Sequence, residues 1–314
     1  FNLSGVSFYL LLFGAFPILV YILFFDTNFI KNLTSNKITV DKENKKTILK
    51  IGIISLVSSF AFQSSIIFLR KYSIATFGTE TTGIYQSLLS LSTNYFTLIY
   101  VFLANYSLPK LATFLKNDEI NNELNENFRL LLFIILPIII IIFTFKVFVI
   151  KTIFSNSFVS ASDYIIFQLV GDLFRGLAAL FGLWLIPKEK LSVLISIDCF
   201  MNIVLISMPF MLVNFFNLGI VSLPISYFCA FFVHFLLFFL YTRSKMKFTF
   251  SKQNFRAIWL SSFTLILVFS IVYFLKDYSF FLVPLILIFW VWVFLSSNER
   301  VLIFSKINMF LKKN

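Results

Sequence analysis

Nine stretches of this chain stay apolar for about 20 residues, the length an α-helix needs to cross roughly 30 Å of hydrocarbon. They fall near residues 4–25, 48–69, 83–106, 130–150, 164–186, 192–213, 218–241, 257–275 and 279–296. A bilayer core holds no water to satisfy backbone N–H and C=O groups, so such segments must be helical. The expected fold is therefore an all-α polytopic membrane protein with about nine transmembrane helices. Composition agrees: 59% of the residues are hydrophobic, against roughly 45–50% in soluble domains.

The formal net charge of +12 would suit a nucleic-acid partner if it covered a soluble surface. Here it belongs to the connections between apolar runs, so no nucleic acid is expected. In short loops Lys and Arg accumulate on the cytoplasmic side. Connections after the first, third, fifth and seventh runs, together with the C-terminal tail, carry 20 of the 26 Lys and Arg residues; the opposite connections carry five, and Arg175 lies within a run. That asymmetry predicts a cytoplasmic C-terminus and places residue 1 outside. The chain begins FNLSGVSFYLL, with no Met, charged leader or cleavage pattern. The expectation is that an odd number of spans precedes residue 1.

Several classes of chemistry find no support. Cys199 and Cys229 both lie in apolar runs and set no disulfide framework or redox motif. Nine glycines and no GxxxxGK pattern leave nothing to cradle a nucleotide phosphate. No external loop exceeds roughly a dozen residues, no Ser-His-Asp set or metal-ligand spacing occurs, and neither cofactor nor metal is expected. His234, the sole histidine, is expected to pack between helices with one backbone or hydroxyl partner. A transporter suits this architecture better than an enzyme.

Polar residues inside apolar runs must face other helices or a wet cavity. The second run carries Ser55, Ser58, Ser59, Gln63, Ser64 and Ser65, ending at Arg70 and Lys71. In the third, Gln86, Ser90, Thr93, Asn94 and Thr97 recur at spacings of three and four and share a helix face. Asp198 and Asn202 repeat that spacing in the sixth. The serines are expected to serve as interhelical glue, each worth about 0.6 kcal/mol, and Ala178 and Gly182 as packing residues. Most costly is QLVGDLFRGLAALFG, residues 168–182, where Asp172 and Arg175 occupy mid-span at about 3 kcal/mol or more per charge. Three residues apart on one face, they form either a self-satisfied ion pair or a substrate site.

Three blocks resemble the Wzx-type flippases of lipid-linked oligosaccharides, within the multidrug/oligosaccharidyl-lipid/polysaccharide exporter superfamily. They are IFSNSFVSASDYIIFQLVGDLFRGLAALFGLWLIPK at 153–188, LRKYSIATFGTETTGIYQSLLSLSTNYFTLIYVFLANYSLPKL at 69–111 and, more weakly, FNLSGVSFYLLLFGAFPILV at 1–20. The resemblance implies two six-helix lobes around a central cavity. Residues 1–25 would close the N-terminal lobe, 26–47 would be a cytoplasmic Lys-rich linker, and 48–241 would form the C-terminal lobe. After a cytoplasmic loop at 242–256, residues 257–296 would add a helix pair, followed by a basic tail at 297–314. The implied function is translocation of an undecaprenyl-diphosphate oligosaccharide across the bacterial inner membrane for O-antigen-like polysaccharide, among membrane lipids and with a polysaccharide polymerase and a chain-length regulator as partners. An ion-coupled multidrug exporter of the same superfamily and a membrane polysaccharide polymerase are the alternatives.

On that reading Arg175, Arg70 and Lys71 would contact the diphosphate or acidic sugars, since a guanidinium holds phosphate bidentately. Gln63, Gln86, Asn94 and Gln168 would bond sugar hydroxyls. Asp172 would steady Arg175 or, like Asp198, take part in ion coupling.

Overall fold

The computed structural model describes residues 42–296 together with 299 and 300. The first expected span, most of the linker and the tail beyond residue 300 lie outside the described residues. The chain divides into two compact units, residues 1–50 and 51–314. Of the first, only the start of a helix at 42–50 is described; the helices below form the second.

A helical run, Lys42–Thr113, breaks at Gly78, whose φ of 83° and ψ of 170° are non-helical. Residues 16 apart in a continuous helix would sit about 24 Å from each other. Yet Arg70 Nε donates to Gln86 Oε1 at 3.2 Å, and the hydroxyls of Ser73 and Thr82 share a hydrogen bond of 2.8 Å. The run is therefore two helices folded back on each other, α1 (42–77) and α2 (79–113), joined at one residue. A side chain at position 78 would strain this left-handed backbone, which glycine adopts freely. The connection between the second and third apolar runs is thus helical on both sides of a single glycine.

Beyond it come α3 (Asn117–Thr144), the short α4 (Lys146–Ile153), a 3₁₀ turn at Asn156–Asp163, then α5 (Ile165–Leu183), α6 (Leu191–Phe216), α7 (Ser222–Met246), α8 (Lys252–Phe274) and α9 (Ser279–Phe294). The fourth apolar run begins later than its helix. Residues 117–129 are polar but helical, with Asp118 and Glu119 in the first turn, where carboxylates meet the positive end of the helix dipole. Among the described residues no strand occurs. Among the described residues, six helical runs are long and apolar enough to cross a membrane, the first being the α1–α2 pair. At 16 residues, α9 covers only about 24 Å.

The bundle is closest where α5 meets α7. A Cβ on Gly171 would lie 2.6 Å from Tyr227 Cδ1 and 3.2 Å from Phe228 Cα, so this crossing depends on glycine. Gly182 likewise lies against Phe238, and Ala178 is fully buried, as packing residues should be. α3 packs on α5, and the α8–α9 pair packs on α3. The hydroxyls divide between two roles: Ser73 and Ser92 bond across helices, as glue should, and others bond locally. Ser65, Thr93, Thr97 and Ser226 each return a hydrogen bond to the carbonyl four residues back in their own helix. The local acceptor is always within reach of a hydroxyl, whereas a partner on another helix is not.

One end of the bundle is laced together. Lys188 Nζ donates to Phe114 O, Asn121 Nδ2 to Met246 O at 3.0 Å, and Asn125 Nδ2 to Thr249 O at 3.1 Å. Arg129 donates to Gln253 Oε1 at 3.0 Å and to Phe294 O at 2.9 Å. The connections after α2, α5 and α7 and the end of α9 therefore gather at one end, as the alternating basic charge in the sequence requires.

Candidate functional site

Asp172 and Arg175 do not form an ion pair with each other. Asp172 on α5 is fully buried, and hydroxyls from two neighbouring helices surround its carboxylate. Ser92 on α2 donates to Oδ2 at 2.6 Å, Tyr95 donates to the same oxygen, and Tyr227 on α7 donates to Oδ1 at 2.7 Å. A buried carboxylate is tolerable when such donors replace its water. Tyr227 also accepts from Arg175 Nη1 at 3.2 Å, so one phenol links the two charges.

Arg175 is thereby left facing a cavity. Its guanidinium carbon lies 4.1 Å from the Phe96 ring centre, 5.4 Å from that of Phe231 and 5.6 Å from that of Phe62. These are cation–π distances, and they hold the cation with aromatic faces while its remaining N–H groups stay unclaimed by any carboxylate. The cavity, of about 360 Å³, lies between α1, α2, α5, α6 and α7. Besides Arg175 and its rings, its wall includes Ser58, Thr97, Tyr100, Asp198, Asn202 and His234.

The sixth and seventh helices meet across that wall. His234 Nε2 lies 3.0 Å from Asp198 Oδ1, so the histidine expected to find a backbone or hydroxyl partner has a carboxylate instead. That acid comes from a different helix, α6, which the residue pattern along α7 does not identify. Asn202 Nδ2 donates to the Asp198 carbonyl at 2.9 Å.

The remaining candidates are dispersed. Arg70 and Gln86 bond each other near the α1–α2 apex, and Lys71 beside them is exposed. Gln63 and Asn94 are exposed and do not line the cavity. Gln168 is buried, and neither its amide nitrogen nor its oxygen has a partner. Of the polar face read along the third run, only Thr97 reaches the cavity. The sequence reading overlooked Tyr95, Phe96 and Tyr227. Its missed signal was Tyr227, Phe231, His234 and Phe238, at spacings of four, three and four, which put one stripe of α7 against the cavity and Asp172.

No family model matches the chain. It is 27% identical over 142 residues to proteins named Lipid III flippase from Escherichia coli K12 and Shigella flexneri, a match covering 45% of this chain and 34% of each relative. The matched part thus spans about a third of the length of these curated relatives. The crystal structure of a MATE mutant shares the fold, with a TM-score of 0.56 at 13% identity over 67% of this chain and 48% of that one. Both comparisons agree with the resemblance in the sequence: the solved structure shares the all-helical fold, and the curated relatives are named as flippases.

Proposed function

We propose that this chain forms part of a flippase that carries an undecaprenyl-diphosphate-linked oligosaccharide across the bacterial cytoplasmic membrane, in the assembly of an O-antigen-like surface polysaccharide. The observation that carries this reading is Arg175. It is a cation inside a membrane-spanning bundle, facing a cavity and in direct contact with no carboxylate, the acid three residues away included. A diphosphate cannot enter hydrocarbon unaided, and a guanidinium with free donors offers bidentate contacts in place of its water. Sequence likeness to proteins named Lipid III flippase supports the lipid-linked class of substrate. The lobe would be 48–241, the basic end cytoplasmic, and a polymerase with its chain-length regulator would receive the product on the far side.

In the full-length protein, Arg175→Gln should abolish export while leaving the amount in the membrane unchanged. Arg175→Lys keeps the charge without the fork and should export partially. Full export by a well-expressed Arg175→Gln protein would defeat the proposal.

A second reading, an ion-coupled exporter of small molecules, draws on the Asp198–His234 pair, a protonatable set in the cavity wall. It predicts pH-driven uptake of cationic dyes into proteoliposomes that Asp198→Asn abolishes; the flippase reading predicts no dye movement.

A further inference from the structure

We infer that the groove between the start of α8 and the end of α9 binds the phosphodiester of a phospholipid with a net negative headgroup, from the leaflet at the basic end of the bundle. The site shares no wall residue with the central cavity and does not depend on what that cavity carries. A pocket of about 110 Å³ lies in this groove, several times the roughly 10–15 Å³ that one water needs. Its polar wall is Arg129, Gln253, Arg256 and Ser296, with no carboxylate among its lining residues. Two of the four are already used. Arg129 donates to Gln253, Phe294 O and Glu299, and the Ser296 hydroxyl donates to Glu299. The other two, Gln253 and Arg256, are exposed and lie three residues apart on one face of α8. Gln253 accepts from Arg129 Nη1 through Oε1 at 3.0 Å, which leaves its amide N–H groups unclaimed. Arg256 has no acid partner among the described residues. The pocket therefore offers a guanidinium and an amide donor to an anion.

Depth in the membrane identifies the anion. Trp259, three residues beyond Arg256, begins a stripe with Phe263 and Ile266, which are 67%, 65% and 66% exposed. Such a stripe faces lipid, and tryptophan sits at headgroup level. Arg256 lies about 4.5 Å from Trp259 along the helix axis, at the height of lipid phosphates. The apolar wall of the pocket includes Leu260 and Val293. A phosphate held by Arg256 and Gln253 would lay its glycerol and acyl chains over these two, and a guanidinium suits phosphate geometry. With no carboxylate in the wall, a choline or ethanolamine cation would find no counter-charge. A headgroup of net negative charge fits instead. The C-terminal tail, 301–314, carries three lysines and no acidic side chain, so it offers the pocket no such anion. The five cations of residues 243–256 also follow from topology, but a topology signal requires no pocket and favours no single residue.

The test is native mass spectrometry of the full-length protein in detergent, titrated with phosphatidylglycerol or with phosphatidylcholine of the same acyl chains. Wild-type protein should hold one phosphatidylglycerol about fivefold more tightly than phosphatidylcholine. Arg256→Gln should bring the two lipids within about twofold of each other. Arg243→Gln, which removes an exposed cation of the same loop outside the pocket, should leave the preference intact. Leu260→Trp should weaken both lipids with every charge in place, a check that does not depend on Arg256→Gln. Equal binding of the two lipids by the wild type overturns the inference. Equal loss of preference in Arg256→Gln and Arg243→Gln also overturns it, by revealing a diffuse basic surface. Displacement of phosphatidylglycerol by equimolar farnesyl diphosphate or by inorganic phosphate would reassign the pocket to the transported lipid or to a free anion, and overturns it as well. None of these outcomes touches the reading of the central cavity.

Discussion

Asp172 and Arg175, three residues apart on α5, are joined through a third side chain. The Tyr227 hydroxyl donates to the acid at 2.7 Å and accepts from the base at 3.2 Å. The hydrogen bonds of the acid come from hydroxyls, and Arg175 reaches it only through Tyr227. Asp172→Leu should therefore deplete the protein from the membrane, since it strands the hydroxyls of Ser92, Tyr95 and Tyr227, at about 1–3 kcal/mol for each unsatisfied group. Adding Arg175→Leu should not rescue it, whereas a direct ion pair would be rescued by removing both charges. Immunoblots of membrane fractions decide between the two.

Tyr227→Phe isolates the bridge. It removes one donor to a buried carboxylate, at about 1.5–3 kcal/mol, and frees Arg175 to drift among its aromatic neighbours. The expected result is a lower melting temperature in detergent, together with reduced but measurable export.

Gly171→Ala should destabilise by about 1–3 kcal/mol, because its Cβ would meet Tyr227 at 2.6 Å and the Phe228 backbone at 3.2 Å. Gly176→Ala serves as the control. Its nearest atoms are the Ile135 and Leu131 methyl groups, at 3.3 and 3.4 Å, which can give way. Near-equal melting temperatures for the two variants would mean that the α5–α7 crossing is softer than its spacing indicates.

Cysteines replacing Thr79 or Asn156, exposed at the α1–α2 apex and in the 3₁₀ turn after α4, should react with an impermeant maleimide on intact cells. A cysteine at Asn122, exposed near the laced end, should react only after permeabilisation. The reverse pattern would invert the proposed orientation.

The clasp between α3 and the end of α9 should weaken in acid. Burial pushes the Glu299 carboxyl up, but hydrogen bonds from Ser296 and the Arg129 guanidinium outweigh that and hold it below the usual range. A depressed folded-state pKa gives stability that is present above the unfolded carboxylate value, about 4.3, and is lost as pH falls through the lower folded value. Glu299 is 40% exposed, so the effect is small, under about 1 kcal/mol after screening. Protection of the α9 amides, measured relative to their intrinsic exchange rates, should fall between pH 5 and pH 3, and Glu299→Gln should flatten that fall.

The positions of the apolar helices were legible because hydrocarbon thickness imposes a length and the lipid imposes composition. The break at Gly78 was less so: the polar residues at 70–82 resemble a loop, and only contacts between α1 and α2 reveal two continuing helices. Within the site, Arg175 and Asp198 stood out by the cost of their charge. Their partners did not. Tyr95 and Tyr227 lie 77 and 55 residues from Asp172, and periodicity within one helix carries no information about which neighbour it will face. His234 was misjudged for the same reason, its acid being 36 residues away on another helix.

The hydroxyl cage of Asp172 also bears on motion. Its three donors come from α2 and α7 while the acid belongs to α5, so one carboxylate rivets three helices at a single depth. Any tilt of α5 against either neighbour would break a bond to a buried anion, which restricts these three to travelling as one rigid block. On the proposed flippase reading, the strokes of the cycle then fall on helices outside that block. Among the described cavity walls these are α1, which contributes no donor to the cage, and α6, which contributes none either and carries Asp198.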